Sequence, residues 1–285
     1  VLPKIAVVTP VRNRREKTLS FLASMTCQSY PELTQIIVDS NSSDGTPDAI
    51  LEQYPKTVLL KASDHDYWAG ATNIGVKFAL QEKYEFIFTV NDDSTIDPSY
   101  IEKMVSLSKR SNLLVLGSRI NYLNCPNLVW ALGIATKWGQ KDFMRPSFHK
   151  CAIKDLPDSI WSSEVLETDA LPGNAVLVHH SVYEKVGLYN SLLTPHHLAD
   201  AEFTLRARSQ GLKVWVTPHL VIFNDFSESQ KKINLSTVSG IYSTFFRKKS
   251  YLFVWAWLYI FMRYCPLKYK WVTLCSIFGR IYLHY

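Results

Sequence analysis

Two adjacent carboxylates, Asp92 and Asp93, follow an apolar run, Phe86-Ile87-Phe88-Thr89-Val90, with Asn91 at the junction. The run is β-branched and aromatic and reads as a buried strand. Acids side by side at the end of such a strand repel each other and lose hydration. A divalent cation relieves both costs, and hard oxygen ligands suit Mg2+ or Mn2+. In open α/β sheets, ligands bind beyond the carboxyl ends of the strands, where this pair falls. The alternative is an acidic turn ahead of a helix at Asp97-Pro98. That accounts for Asp97 as an N-cap, but for neither Asp92 nor Asp93.

Other residues of chemical type lie along the chain. Asp39 ends a second apolar run, Ile36-Ile37-Val38, and either meets a ligand or shapes an Asx turn, as Asp44 can. Trp68, between Asp66 and Gly70, is either core or a face for a sugar or base. Asp200 opens a helical pattern over Leu198–Arg208 and is either its cap or a base. Glu202 is a first-turn charge or a second acid of a site. His179-His180 and His196-His197 are neighbours whose side chains diverge, so chelation by either pair is not expected. His196 or His197, just ahead of Asp200, is close enough in sequence to touch a substrate. Arg12, Arg14 and Arg15 are a solvated face or hold phosphate.

The elements that must position these groups alternate regularly. Strands are expected at Lys4–Thr9 (ended by Pro10), Ile36–Asp39, Thr57–Leu60, Phe86–Val90 and Leu113–Ser118. Helices are expected between them, at Glu16–Cys27, Asp48–Tyr54, Trp68–Gln81 and Pro98–Ser108, with Thr46 as N-cap and Pro47 at N1 of the second. This alternation predicts an α/β fold, a doubly wound, mostly parallel, Rossmann-like sheet whose polar loops converge on one edge. Neither G-x-G-x-x-G nor a Walker A lysine motif follows the first strand. Residues 121–167, rich in Pro and Gly, predict hairpins and loops. A strand at 175–178, a short helix capped by Ser181, the helix of Asp200 and a strand at 213–217 stopped by Pro218 follow.

The net charge of +6 is concentrated at one end. Seven Lys/Arg and no Asp or Glu lie between Ile241 and Tyr285, so the first 240 residues carry a net charge of −1. The basic character therefore points to an anionic surface near the C-terminus and not to nucleic acid. Five cysteines without paired or metal-type spacing read as reduced thiols, and the N-terminus enters a strand with no signal-peptide pattern. Both suit a cytoplasmic protein.

Seven segments, taken in order, resemble the family 2 inverting glycosyltransferases of GT-A fold, over roughly residues 4–225. They are Val7-Val-Thr-Pro-Val-Arg-Asn13, Gln28-Ser-Tyr-Pro31, Ile37-Val-Asp-Ser-Asn-Ser-Ser-Asp-Gly-Thr46, Gly70-Ala-Thr-Asn-Ile-Gly75, Asn91-Asp-Asp93, Pro172-Gly-Asn174 and Asp200-Ala-Glu202 with Arg206. The resemblance implies a nucleotide diphosphate-sugar donor, a saccharide or lipid-linked acceptor and a role in bacterial surface polysaccharide such as O-antigen or capsule. It implies that Thr9, Pro10, Asn13 and Asp39 line the nucleotide pocket, with Trp68, Gly70, Asn73, Asn91 and Asp92 near the sugar, ribose or diphosphate. Asp93 with Asp92 would hold the Mg2+ or Mn2+, Asp200 would be the catalytic base, and Gly173, Asn174, His197 and Glu202 would face the acceptor. Two positions depart from the pattern. Asn91 stands at the first position of the acidic motif, and Asn224 stands where the family often has a metal-binding His, with His219 five residues earlier.

The tail is read separately. Residues 226–285 are expected to form an aromatic, basic helical extension beside a catalytic unit of residues 1–225, divided into nucleotide-binding (1–120) and acceptor-binding (121–225) halves. Tyr251–Met262 is apolar or aromatic, but as a helix it spans about 18 Å against a hydrocarbon core of about 30 Å. Trp271–Phe278 is shorter still, and Lys and Arg flank both. This composition suits peripheral attachment to the anionic inner face of a plasma membrane. A buried helical pair or a homo-oligomer contact is the other reading. Two further readings of the whole are a sugar-nucleotide pyrophosphorylase, for which Val11–Arg15 lacks a glycine-rich loop, and a non-catalytic membrane module.

Overall fold

The structure is a computed structural model, and it describes residues 2–140, 143–227 and 236–275. The first half runs β1 (Ile5–Val11), α1 (Arg15–Thr26), β2 (Leu33–Asp39), α2 (Thr46–Gln53), β3 (Val58–Lys61), α3 (Tyr67–Gln81), β4 (Phe86–Thr89), β5 (Ser94–Thr95), α4 (Tyr100–Arg110) and β6 (Val115–Tyr122). The second half adds β7 (Val129–Ala131), the hairpin β8 (Ile134–Thr136) and β9 (Met144–Pro146), α5 (Asp158–Trp161), β10 (Leu166–Glu167), β11 (Val176–His179), α6 (His180–Val186), α7 (Ala199–Ser209) and β12 (Trp215–Asn224). Two helices, α8 (Val238–Phe245) and α9 (Val254–Tyr264), follow.

The main sheet has the order β10-β12-β6-β11-β4-β1-β2-β3. β3, β2, β1 and β4 are parallel, and β6 and β12 are parallel to each other. β11 runs antiparallel between β4 and β6. The fold is the mixed α/β, largely parallel one expected. Alternate residues of β1 bury on opposite faces: Ala6 and Val8 pack with α3, Ile5 and Val7 with α1 and α4. A strand covered on both faces needs a continuous apolar run, and Ile5–Val8 is one. α3 crosses β1 so closely that a Cβ on Gly75 would lie 2.5 Å from Val8 Cγ1.

Several boundaries differ from the sequence expectations. Pro10 does not end β1. β4 last pairs at Val8, so beyond it β1 has only β2 alongside, and one missing N–H is tolerated there. Thr46 is the first residue of α2 and Gly45 is its N-cap, because the Asp44 carboxylate takes the Thr46 N–H at 3.1 Å. Ser181 is inside α6, capped by the His179 ring nitrogen at 3.3 Å from the Ser181 N–H. Asp97 sits ahead of the N-cap Ser99, accepting its N–H at 2.9 Å. Pro218 does not stop β12: the register slips between Thr217 and Val221, a bulge absorbs the proline, and the strand runs on to Asn224. β6 likewise continues past Ser118 to Tyr122.

Among the described residues, no helix is long and apolar enough to cross a membrane. α9 packs Trp257 and Ile260 against Ala201 and Leu205 of α7 and Phe143 and Met144 of the hairpin. Its other face carries Trp255, Leu258 and Met262, exposed at 55%, 37% and 58%. Residues 228–235 and 276–285 of the expected extension, including part of the Trp271–Phe278 stretch, lie outside the described residues.

Candidate active site

A cleft of about 550 Å³ opens at the carboxyl edge of the sheet. Its wall includes Pro10 near the end of β1, Arg12 and Arg14 after it, Trp68 in α3, Asn91, Asp92 and Asp93 after β4, Gly173 and Asn174 before β11, and His197 and Asp200 at the start of α7. Elements far apart in sequence thus deliver both carboxylate groups to one cavity.

The acidic pair is held from α1. Arg14, at the N-cap position, donates Nη1 to Asp92 Oδ1 at 2.6 Å and Nη2 to Asp93 Oδ2 at 3.1 Å. The Thr18 hydroxyl donates to the second Asp92 oxygen at 3.0 Å. Burial pushes the Asp92 carboxyl up to about 6, against the pull of Arg14. Asp93 is raised for the same reason, and its Oδ1 is buried with no protein partner. Beside it, Asp225 pairs with Lys17 at 3.2 Å, and its N–H donates to the Asp93 carbonyl at 3.0 Å.

Below the pair lies a buried amide network. Asn174 Oδ1 accepts the Asn91 N–H at 2.9 Å, and its Nδ2 donates to Asn224 Oδ1 at 2.7 Å. The Asn224 oxygen, which also accepts from Ser94 at 2.9 Å, is therefore spent on the protein. His219 does not replace it: its Nε2 lies 3.1 Å from the Ser163 carbonyl, and it is not part of the cleft wall. Asn91 faces the other way, its Oδ1 accepting the Trp68 indole N–H at 3.1 Å.

Asp200 is the second residue of α7 and not its cap. Its Oδ2 accepts the Gly173 N–H at 2.5 Å and its Oδ1 the Ala201 N–H at 2.8 Å. Burial raises its carboxyl, and those two donors oppose the shift. Gly173 is squeezed here: a Cβ would lie 2.7 Å from the Trp68 ring and 2.9 Å from Asp200 Cβ. Five non-glycine residues in or next to the cleft wall hold positive φ: Asn13 at 50°, Asn41 at 59°, Tyr67 at 52°, Ala175 at 60° and Leu198 at 68°. Such backbone costs about 1–3 kcal/mol per residue and persists only where the surroundings over-determine it, as at sites that position chemistry.

Six of the residues given site roles from the resemblance stand outside the cleft wall. Asn13 is exposed and ties two loops together, accepting the Ser43 N–H at 2.8 Å. The Thr9 hydroxyl is buried in β1. Asp39 closes its own loop through Oδ2, which accepts the Ser42 N–H at 3.0 Å, while its Oδ1 is buried without a partner. Gly70 is buried in α3. Asn73 commits both ends of its amide to the Tyr189 backbone, at 2.8 and 2.9 Å, so it does not face a ribose or diphosphate. Glu202 is fully buried and is not an acceptor contact: Arg206 Nη2 lies at 3.2 Å and the Tyr264 hydroxyl of α9 at 2.6 Å. Glu202→Ala is expected to cost about 3–5 kcal/mol, because it strands a partly buried guanidinium. Chemical denaturation measures this.

Sequence reasoning missed other residues of the wall. Arg14 carried no signal separating it from its neighbours Arg12 and Arg15. Trp130 and Phe226 stack at 4.7 Å on the wall, and Tyr67 and Lys249 join it from opposite ends of the chain. No local pattern brings residue 249 next to residue 67.

The sequence profile described as Glycosyl transferase family 2 matches residues 6–161, more than half of the chain. This chain belongs to glycosyltransferase family 2. A curated relative, the O-antigen biosynthesis protein RfbC of Myxococcus xanthus, is 24% identical over 238 residues. The match covers 80% of this chain but only 18% of RfbC, so the chain spans about a fifth of that relative's length. Among solved structures, S. aureus TarS 1-349 superposes with a TM-score of 0.55 at 17% identity, covering 79% of this chain and 61% of its own. The mannosyltransferase PcManGT of Pyrobaculum calidifontis, solved with GDP-Man and Mn2+, superposes with a TM-score of 0.58 at 16% identity, covering 81% and 59%. At these identities the two structures speak for the fold, GT-A, which this family member shares.

Proposed function

We propose that this family 2 member is an inverting glycosyltransferase that moves a sugar from a nucleoside diphosphate to a saccharide or lipid-linked acceptor in cell-surface polysaccharide assembly. The observation that carries the reading is that Asp200 and the Asp92-Asp93 pair line one cavity. Asp200 takes the proton of the acceptor hydroxyl as it attacks. Each of its oxygens already accepts one backbone N–H, which fixes the carboxylate and leaves lone pairs toward the cleft. One base and one attack from the face opposite the leaving diphosphate give inversion without a covalent intermediate. The stacked Trp130 and Phe226 offer an apolar platform for a sugar ring. Asp39 stands just behind the wall residue Ser40, and its unpartnered Oδ1 suits an N–H of a nucleobase at that end of the cleft.

A divalent cation fits the residues present. Among the described residues no three acidic, His or Cys side chains gather around one point, so those residues by themselves offer no closed metal cage. Mg2+ and Mn2+ commonly rest on one or two carboxylates with phosphate oxygens and water completing the shell. Asp93 Oδ1 is such an anchor. When bound, the cation supplies positive charge to the departing diphosphate. A thermal-shift screen of nucleoside diphosphates and their sugars with Mn2+ tests the proposal. A rise in melting temperature with one nucleotide is expected, and none with any would remove the transferase reading.

The proposal includes attachment of the extension to the inner face of the plasma membrane, with residues 1–225 as the transferase unit. Support comes from exposed Trp255, Leu258 and Met262 on one stripe of α9, exposed Leu267 and Trp271 beyond it, and Arg263, Lys268 and Lys270 among them. The partner with that complement is an anionic lipid surface, each nearby basic residue contributing about 1 kcal/mol. The chain is expected to float with phosphatidylglycerol vesicles and not with phosphatidylcholine, and Trp255→Asp with Trp271→Asp to abolish flotation. A concentration-dependent dimer that loses the same face, without flotation, would assign it to a second copy instead.

A further inference from the structure

The extension also reaches the cleft, at a point no part of the proposed chemistry uses. Lys249 lines the cavity. Lys248 and Lys249 bring their ammonium groups to 5.8 and 6.0 Å from the centre of the Tyr67 ring. Tyr67 meets His196 edge-on at 6.5 Å, and His197 meets Tyr251 at 5.7 Å. Two cations therefore stand beside the His196-His197 turn that leads into Asp200, delivered by a stretch from Ile241 onward that contains no Asp or Glu. Each ammonium lies within about 6 Å of the centre of one ring, so a single phosphate group at this rim can meet both positive charges. The ammonium is a compact, rotatable triple donor suited to phosphate oxygens.

We propose that Lys248 and Lys249 form a phosphate-binding site at the mouth of the cleft, supplied by the C-terminal extension. The site deepens the transferase reading and rests on it for the source of the phosphate. That source is either the diphosphate of the donor or a phosphate that links the acceptor to a lipid. Arg14 and the carboxylate pair already hold α1 and the loop after β4, so the two lysines add positive charge on the side of Asp200. The same extension carries the apolar stripe of α9, which would bring a lipid phosphate and this site together.

Isothermal titration of the full chain with inorganic pyrophosphate, UDP, GDP and octyl phosphate tests this, comparing wild type with the double variant Lys248→Gln and Lys249→Gln. Both side chains are exposed, so an unchanged melting temperature is expected. Loss of two charge-assisted contacts is expected to weaken pyrophosphate binding by about tenfold or more. The variant with Arg at both positions should retain most of the affinity. A loss shared with UDP and GDP but not octyl phosphate assigns the site to the donor, and a loss shared with octyl phosphate assigns it to the acceptor. Equal affinities of wild type and double variant for all four ligands, or no binding of any by wild type, overturns the site. If the wild type binds pyrophosphate through the lysines yet binds neither nucleotide, the site stands and the transferase reading falls.

Discussion

Asp200→Asn is expected to lower sugar transfer by about 10²–10⁴-fold, the range a positioned general base contributes, with donor affinity unchanged within about twofold because the nucleotide is held elsewhere in the cleft. The side chain is the only acid on the α7 side of the cavity wall among the described residues. Both oxygens accept a backbone N–H, so an amide in either orientation sets its own N–H₂ against a donor. That costs about 1–3 kcal/mol of stability, and melting temperature must be followed alongside activity. Titration of the nucleoside diphosphate separates a lost base from a damaged cleft. An Asn variant that transfers sugar at the wild-type rate ends the assignment of Asp200 as base. The pH profile carries the same signature. Asp200 acts only when ionised, and burial raises its carboxyl. Burial pushes the Asp92 carboxyl up to about 6, and its ionised form holds Arg14 more strongly. The acid limb of kcat/KM is therefore expected to begin around that pH, well above the usual aspartate value of about 4. A limb starting only near pH 4 would contradict both shifts.

Asp93→Asn is expected to lower turnover by about 10²–10³-fold, comparable to removing one preorganised electrostatic group from a developing anion. Asp93 presents the buried carboxylate oxygen that no protein group uses, whereas its Oδ2 faces Arg14. The neutral amide keeps the shape and removes the charge. The apparent Mn2+ requirement should rise together with the loss of rate, and electron paramagnetic resonance of Mn2+ with bound nucleoside diphosphate reads this without turnover. Asp92→Asn should behave differently. That side chain is 1% exposed and held by Arg14 and Thr18, so its loss registers first as lowered stability. Equal effects of the two substitutions on stability and on Mn2+ binding would show that the two acids are not divided in this way.

Each shift at an element end has a local cause. Pro10 and Pro218 looked like strand stops because a proline removes a ladder donor, yet both strands continue, one past the end of its neighbour and the other through a bulge. Thr46 and Ser181 looked like caps, but each lies inside its helix, its own N–H taken by a side chain two residues earlier. Glu202 and Asn73 looked available to substrate because their types and positions matched. Both are consumed by partners more than 50 residues away, Tyr264 and Tyr189. Sequence distance hides such partners, and a buried polar group must find one.

The alternation of strands and helices through residue 120, apart from the short β5, and the position of Asp92, Asp93 and Asp200 at the carboxyl edge were legible in the chain, because apolar period and turn chemistry are local properties that folding preserves. Tertiary structure alone decided which donors these acids meet. Arg14 and Thr18 reach Asp92 across 78 and 74 residues, and Lys249 returns to Tyr67 from the far end of the chain. A contact of that kind depends on where two elements cross, and crossing is set by the packing of the whole sheet and its helices, which no single stretch encodes.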